Sequence, residues 1–209
     1  MNRTKMMFSG FLLGLAVVFS FFSTEAEAHA ADFQVGSTGQ GVTELQYTLQ
    51  KLGYFDVAPT GYYGPVTKQA VSRFQHDFGV PSTGYTGELT RNALDRAEMM
   101  AHVVHGEARG ESFEGQVAVA AVILNRVQSP EFPNSTYHVI FQRNAFTAVN
   151  DGQYGLTPNA SAYRAVKEAM RGWDPSSGAT YYYNPAGVTD TWIYTRSVIK
   201  TIGKHHFAK

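Results

Sequence analysis

The sequence predicts a mainly α-helical protein with two domains, a small three-helix domain followed by an α+β domain. Three observations favour this fold class: a turn-plus-helix pattern recurs early, apolar residues follow helical spacing through the middle, and strand-forming residues dominate the tail. Helices that precede strands, instead of alternating with them, are typical of an α+β domain. The predicted boundaries are a leader at 1–30, the first domain at 33–95 and the second at 97–209.

The leader has the features of a secretory signal peptide. Arg3 and Lys5 precede an uncharged run over 6–24, and A-x-A exits of small residues follow at 26–28 and 28–30. Because the apolar run is long for a signal peptide, an uncleaved membrane anchor stays open as an alternative. In either case we expect the rest of the chain to lie outside the cytoplasm.

The composition excludes several classes of function. The 209-residue chain has 17 Lys and Arg against 17 Asp and Glu, so nothing favours a nucleic acid or an acidic membrane as partner. It has no cysteine, which excludes disulfides, thiolate nucleophiles and cysteine-ligated metals. With 16% charged and 13% aromatic residues, the chain suits a folded protein that meets neutral, polar ligands.

An internal repeat organises the first domain. The string TGYYGPVT at 60–67 recurs as TGYTGELT at 83–90, and a fainter third copy begins at Thr38. Repeats at this spacing indicate a turn followed by a helix. The apolar stripes predicted for the three helices are Val42, Leu45, Leu49 and Leu52; Ala70, Val71, Phe74 and Phe78; and Leu89, Ala93 and Leu94. Since no charged cluster or nucleophile stands out, we expect this domain to bind a ligand.

The same segment carries a set of recognisable signature positions. They are GS at 36–37, VxxLQxxL at 42–49, LGY at 52–54, GxxGxxT at 61–67 and AVxxFQ at 70–75. On these positions the segment resembles the three-helix peptidoglycan-binding module that is common on cell-wall enzymes. The resemblance implies a groove for glycan or stem peptide, and it implies a structural role for the signature residues themselves.

Glu107 breaks the pattern of the helix that carries it. Met100, Val103 and Val104 lie at i, i+3 and i+4 on one face of a predicted helix, and Glu107 falls at i+7. An acid in line with a buried stripe loses solvation, which raises its pKa. A carboxyl that keeps its proton near neutral pH can protonate a glycosidic oxygen. The alternative is a helix that frays at Gly106 and leaves the Glu107 side chain in solvent.

The rest of the second domain is predicted as two helices, a loop and a hairpin. The helices cover 115–127, which is apolar on nearly every side, and 160–170. The segment 146–152 is predicted as a loop containing a turn. Two strands, near 179–184 and 192–198, are predicted to pair with each other.

Strings through this domain match a known family in order. They are GEARGE at 106–111, GQVAVAAVILNR at 115–126, FTxVxDG at 146–152, YNP at 183–185, WI at 192–193 and IGxHxF at 202–207. On these strings the domain resembles the catalytic domain of spore cortex-lytic, SleB-type cell-wall hydrolases. The resemblance implies a lysozyme-like fold and a single catalytic glutamate, which maps onto Glu107. It also implies cleavage of the glycan strand at the MurNAc-GlcNAc bond, on spore cortex during germination.

Several further residues are candidates for holding the sugars. The predicted substrate-binding set is Gln116, Phe146, Thr147, Asp151, Tyr183, Asn184, Trp192 and Arg196. Aromatic members would stack on sugar faces, and polar members would hydrogen-bond hydroxyl or acetamide groups. The family often has serine where this chain has Thr147, a change that keeps the hydroxyl.

The number of catalytic acids stays open at the level of sequence. Glycoside hydrolysis ordinarily uses two carboxylates, and Asp151 is the candidate for the second, while Glu111 is an alternative to Glu107. Without a second acid, Glu107 could take a proton back from the sugar's own C6 hydroxyl and leave an anhydro product. Arg126 could instead pair with Glu107 and lower its pKa.

Two other functions were weighed against this one. A metal-dependent amidase is suggested by the string H-x-x-H-x-E at 102–107, to which His138, His205 and His206 could add ligands. The string matches no established zinc pattern, and His102 lies off the face that holds Glu107, so we predict no metal and no cofactor. A non-catalytic wall-binding protein is the third reading, and an intact Glu107 argues against it. We expect a monomer that acts on peptidoglycan, including muramic-lactam-containing cortex.

Overall fold

The computed structural model describes residues 32–188 and 190–209, and the predicted signal peptide at 1–30 lies outside them. The α-helices are α1 Gln40–Lys51, α2 Pro65–Asp77, α3 Glu88–Ala108, α4 Phe113–Gln128, α5 Thr136–Ile140, α6 Thr147–Asn150 and α7 Ala160–Met170. Short 3-10 turns cover Gln153–Gly155, Pro185–Gly187 and Thr191–Thr195. The strands are β1 Tyr181–Tyr183, β2 Val198–Ile202 and β3 His205–Ala208. The predicted fold class, mainly α with a small sheet, is confirmed.

The first three helices bury the stripes that the sequence predicts, with one exception. Val42, Leu49 and Phe74 are completely buried in the core. Leu89, in contrast, is 60% exposed, so its predicted place in the core is wrong. The inward face of α3 is set by Thr90 and by the alanines that follow it at helical spacing, and one residue earlier points about 100° away.

Two buried glutamines hold the repeated turns. The Gln46 amide of α1 donates to the Tyr62 carbonyl and the Thr67 hydroxyl, both at 2.9 Å, while its oxygen accepts the backbone N–H groups of Thr60 and Gly61. A buried amide with all of these partners satisfies its own polar atoms and those of the turn at once.

The second repeat uses the same arrangement. The Gln75 amide of α2 donates to the Tyr85 carbonyl and the Thr90 hydroxyl, both at 2.8 Å, and its oxygen accepts the N–H of Gly84. Both copies of the repeat are therefore turns clamped by a glutamine that a preceding helix supplies.

Helix α3 joins the two parts of the chain without a break. The sequence predicts a short third helix and a separate helix before Glu107, but the structure has one helix of 21 residues. No proline occurs within it, and its one glycine is Gly106, near its end, so nothing stops the helix at the expected boundary. The boundary at 95–97 falls inside α3 and stays a prediction.

Further contacts tie α7 to the first domain. The Lys167 ammonium donates to the Gly53 carbonyl at 2.8 Å and lies 4.2 Å from the centre of the Tyr54 ring. Arg171 approaches the Asp77 carboxylate at 3.6 Å. The described residues accordingly form one compact unit with a shared hydrophobic core.

In the second half, α3 and α7 pack against the apolar α4 and against each other, beside a three-stranded antiparallel sheet in the order β1-β3-β2. Helices α4 and α7 confirm the predictions at 115–127 and 160–170. The predicted hairpin partners are wrong, because β1 pairs with the C-terminal β3, with Tyr182 opposite Phe207. Segment 191–195 forms a 3-10 turn that Asp190 caps, and Gly203, with φ of 57°, allows the tight connection between β2 and β3.

No helix among residues 32–188 and 190–209 is both long and apolar enough to cross a membrane.

Replacing Gln46 with leucine should destabilise the chain by about 2–4 kcal/mol, because buried N–H and C=O groups of the 60–67 turn lose their partners. Urea denaturation of the chain without its leader measures the loss. Gln50→Leu on the exposed side of the same helix is the matched control and should change stability by less than about 0.5 kcal/mol. Equal losses of stability in the two variants would contradict the stabilising role of the Gln46 hydrogen bonds.

Candidate active site

The site is built around Glu107 in the last turn of α3. The helix continues through Gly106 to Ala108, so the alternative in which it frays at Gly106 is wrong. A Cβ at position 106 would lie 2.5 Å from the Cβ of Ala148, so α6 can pack this closely only because the residue is glycine. From that position the Ala148 N–H donates to Glu107 Oε1 at 2.6 Å.

Burial raises the pKa of Glu107 above its ordinary value. The opposing influences, in order, are the Ala148 N–H, the Tyr182 hydroxyl and the positive charge of Arg126, while the negative charge of Asp151 adds to the increase. The desolvated carboxyl therefore holds its proton more tightly than an exposed glutamate does, as a general acid requires.

Arg126 is a buried cation that organises the walls of the site. Its Nε donates to the Thr180 carbonyl at 2.7 Å, and Nη1 donates to the Ala145 carbonyl at 3.3 Å. The guanidinium lies 4.9 Å from the Phe146 ring centre and 5.9 Å from that of Tyr181. These contacts occupy Arg126, and the described residues contain no ion pair between it and Glu107, so the pairing considered from the sequence does not form.

A cleft of about 330 Å³ opens beside the Glu107 carboxyl. Its lining residues are Glu107, Asn144, Ala145, Thr147, Tyr182, Tyr183, Asn184, Gly187, Val188, Asp190, Ile193 and His205. Glu107, Thr147, Tyr183 and Asn184 were predicted as site residues, and the structure brings these four together. The remaining lining residues were not predicted.

Tyr182 is the member of the cleft that sequence reasoning missed. Its buried hydroxyl faces the Glu107 carboxyl and lowers the pKa of that acid, although it lies beyond hydrogen-bond distance of every partner among the described residues. Burial, followed by the charge of Glu107, raises its pKa well above 10, so it remains a proton donor. Strand alternation gave no signal for Tyr182, because it predicts opposite faces for Tyr182 and Tyr183, whereas both line the cleft.

Other predicted binders lie outside the cleft lining. Phe146 is only 2% exposed and packs on Arg126, and Gln116 is buried with its amide donating to the Glu111 carbonyl at 3.2 Å. Trp192 stacks with Arg196, whose guanidinium lies 4.4 Å from its ring centre. These contacts describe structural roles, and any contact of these four residues with sugar stays a prediction.

The two alternative acids lie outside the cleft, Asp151 exposed and Glu111 half-buried. Asp151 accepts the Gln153 N–H at 3.0 Å and its side-chain amide at 2.6 Å, and these bonds lower the pKa of Asp151. Glu111 accepts the Lys204 N–H at 3.2 Å, beyond the end of α3. Neither belongs to the cleft lining, whereas the unpredicted Asp190 does, while capping a 3-10 turn through the N–H of Trp192.

The histidines of the zinc alternative do not converge. His102 Nδ1 hydrogen-bonds the Tyr154 carbonyl at 2.7 Å, and His105 accepts the Asn159 N–H at 3.4 Å. His138 is bonded to Ser135, and His205 lies in the sheet, where burial lowers its pKa. Across 32–188 and 190–209, no three histidine or acidic side chains are grouped as an ion would require.

Comparison with known proteins places the chain in a family. Residues 110–208 match the family profile described as Cell Wall Hydrolase, and residues 38–94 match a peptidoglycan binding domain. A spore cortex-lytic enzyme of Bacillus cereus is 40% identical over 221 residues, covering 84% of this chain and 85% of that protein. The chain belongs to the spore cortex-lytic enzyme family. The family relative in Oceanobacillus iheyensis is 38% identical over 238 residues, covering 84% and 86%.

A solved structure of the same family resembles the second half. The catalytic domain of the germination-specific lytic transglycosylase SleB from Bacillus anthracis is 58% identical, with a TM-score of 0.53. The match covers 55% of this chain and 94% of that one. Glu107 stands three residues before the start of the Cell Wall Hydrolase match, so its role rests on the geometry of the cleft.

We expect Glu107→Gln to be more stable than the parent at pH 7.5, with a smaller difference at pH 4. Because burial raises the pKa of Glu107 in the folded state, ionisation of this carboxyl destabilises the folded parent. This loss of stability is absent below the unfolded pKa and develops as pH rises through the folded pKa. Thermal unfolding at both pH values should show a gap of a few degrees at pH 7.5, since 1 kcal/mol shifts Tm by about 2–4 °C in a protein of this size. The exposed Glu131→Gln is the control. A gap that is wider at pH 4 would contradict the burial argument.

Proposed function

We propose that this chain cuts the glycan strand of peptidoglycan at the MurNAc-GlcNAc bond by a lytic transglycosylase reaction, with Glu107 as the single acid and base. The observation that carries the proposal is a desolvated carboxyl of raised pKa at the edge of a cleft, held by one backbone N–H. Membership of the spore cortex-lytic enzyme family, and the lytic transglycosylase title of the SleB relative, support the same reaction.

The first step is protonation of the leaving oxygen. Protonated Glu107 gives its proton to O4 of GlcNAc while the bond between that oxygen and C1 of MurNAc breaks, and positive charge develops at C1. The carboxylate that remains is stabilised by the Ala148 N–H and by the Tyr182 hydroxyl. Burial favours the protonated form of Glu107 before the proton transfer. After the transfer, the two donors partly offset the cost of holding a buried carboxylate.

The second step closes an anhydro ring. The Glu107 carboxylate takes the proton of the C6 hydroxyl of MurNAc as O6 bonds to C1, which restores the protonated acid. One C–O bond breaks and one forms, the proton returns to Glu107, and no water is consumed. Tyr183, Asn184 and Thr147 line the cleft and are the residues we assign to sugar binding.

Asp190 makes hydrolysis the second candidate. It is a carboxylate in the lining of the same cleft, where it could activate a water against C1. The products separate the two reactions: transglycosylation leaves 1,6-anhydro ends and hydrolysis leaves reducing ends, which mass spectrometry distinguishes. Reducing ends that disappear in Asp190→Asn would favour the hydrolytic reaction.

The site of action follows from the substrate. We assign the chain to the cell wall or spore envelope after export by its signal peptide, with spore cortex during germination as the specific target. The comparison of cut products from purified vegetative wall and purified cortex tests the target, since a cortex enzyme should release fragments from cortex alone.

Glu107→Gln should lower the rate of cutting by about 10²–10⁴-fold while the chain remains folded, because the amide keeps the shape but cannot deliver a proton. Release of soluble fragments from peptidoglycan measures the rate, and circular dichroism monitors the fold. Glu111→Gln, the matched control outside the cleft, should stay within about threefold of the parent. If Glu111→Gln lost cutting activity while Glu107→Gln kept it, Glu111 and not Glu107 would be the general acid.

Tyr182→Phe should move the alkaline limb of the pH dependence of kcat/KM to higher pH and lower kcat. The hydroxyl lowers the pKa of Glu107, so without it the acid keeps its proton to higher pH, and the carboxylate formed in the first step is less stabilised. Soluble glycan fragments serve as substrate, and Tyr181→Phe, the neighbour on the other face of β1, is the control. If the alkaline limb of Tyr182→Phe stays at the parental pH, the hydroxyl does not tune the pKa of Glu107 and Tyr182 has a structural role only.

A further inference from the structure

The repeat of the first domain preserves exposed residues as well as the buried clamp. Tyr62 and Tyr85 occupy equivalent positions and are 50% and 41% exposed, and each is followed four residues later by an exposed aliphatic side chain, Val66 or Leu89. The clamp uses the tyrosine carbonyls and not the rings. The core therefore gives no reason for an aromatic ring to recur at this position.

The glycines of the repeat make room for these rings. A Cβ at Gly64 would lie 3.0 Å from the Tyr62 ring, and one at Gly87 would lie 2.6 Å from the Tyr85 ring. The ring of Tyr85 is also held at its tip, because its hydroxyl donates to the Asp32 carboxylate, which pairs with Arg91 of α3. Tyr85 is accordingly an exposed ring in a fixed orientation, which loses little entropy when a ligand stacks on it.

Three depressions adjoin one another through shared lining residues, and Tyr85 lines two of them. The first, of about 440 Å³, lies along the start of α2, and the second, of about 390 Å³, shares Lys68 with it. The second shares Thr83 and Tyr85 with the third, of about 240 Å³, which ends at Leu89. We call this row of depressions the repeat groove. Successive depressions that share lining residues suit an extended polymer better than a compact ligand.

The repeat groove is lined by apolar side chains and by uncharged polar side chains. Its lining combines Val66, Tyr85 and Leu89 with hydroxyl and amide side chains, namely Gln34, Gln69, Ser72 and Thr83. Lys68 and Glu88 are the charged residues in this lining, and they are of opposite sign. Stem peptides carry carboxylates that would call for several cations, whereas sugars offer apolar faces and hydroxyls.

We propose that the repeat groove binds the sugar backbone of a neutral glycan strand, with the Tyr85 ring as the central stacking surface. This assignment rests on the proposed action on peptidoglycan and adds where the first domain holds the wall and which component it holds. The sugar face packs on the ring, and the side-chain amides and hydroxyls along the groove bond the sugar hydroxyls.

Sedimentation with insoluble peptidoglycan tests the stacking surface. All chains lack the leader and carry Glu107→Gln so that the wall stays intact. Tyr85→Ala should bind about tenfold more weakly, because removing a fixed aromatic anchor typically has that effect, whereas Tyr85→Phe keeps the ring and should stay within about twofold. Tyr47→Ala removes another exposed tyrosine, from α1 outside the groove, and should bind like the parent. Binding of Tyr85→Ala equal to that of Tyr47→Ala would overturn the proposal.

Competition identifies the component that is bound. Peptide-free glycan oligosaccharides should displace the parent chain from the wall, and free stem peptide should not. Displacement by stem peptide alone would overturn the proposal in favour of peptide recognition. The outcome is distinguishable from failure of the proposed function: a parent that does not sediment with wall contradicts wall action itself.

Discussion

The close approach of α6 to α3 at Gly106 is the contact on which the candidate active site depends. It brings the Ala148 N–H to the carboxyl of Glu107 and covers the last turn of α3, so the acid is desolvated and held at one oxygen. A side chain at position 106 would separate the helices, admit water and release the carboxyl. The missing Cβ therefore allows both the close cover that contributes to the burial of Glu107 and the hydrogen bond that orients its carboxyl.

Arg126 has the complementary role on the other side of the cleft. Its guanidinium bonds the carbonyls of Ala145 and Thr180 and lies among aromatic rings, so it joins α4, the segment before α6 and the start of β1. A buried cation needs such partners, since an uncompensated charge there would be strongly destabilising. Because Arg126 is engaged by carbonyls and rings, it fixes the strand that presents Tyr182 without forming an ion pair that would keep Glu107 ionised.

The continuous helix α3 joins the two proposed sites in one rigid element. Its first turn belongs to the repeat groove and its last turn carries the acid, in a helix of 21 residues. At 1.5 Å per residue, groove and carboxyl are separated by about 30 Å along one stiff element. Contacts from α7 to the first domain hold the same arrangement, so a bound glycan strand and the cleft would keep a fixed spacing.

The sequence by itself determined the fold class, most helices and the position of Glu107 in line with a buried helix face, because periodicity and repeats depend on local spacing along the chain. It placed Thr147, Tyr183 and Asn184 near Glu107 only through a family resemblance. The tertiary structure decided what spacing cannot express: that α3 runs through the expected boundary, that β1 pairs with the distant β3, and that Tyr182 faces the acid while Phe146 is buried. These depend on contacts between residues far apart in sequence, and such contacts leave no period in the chain.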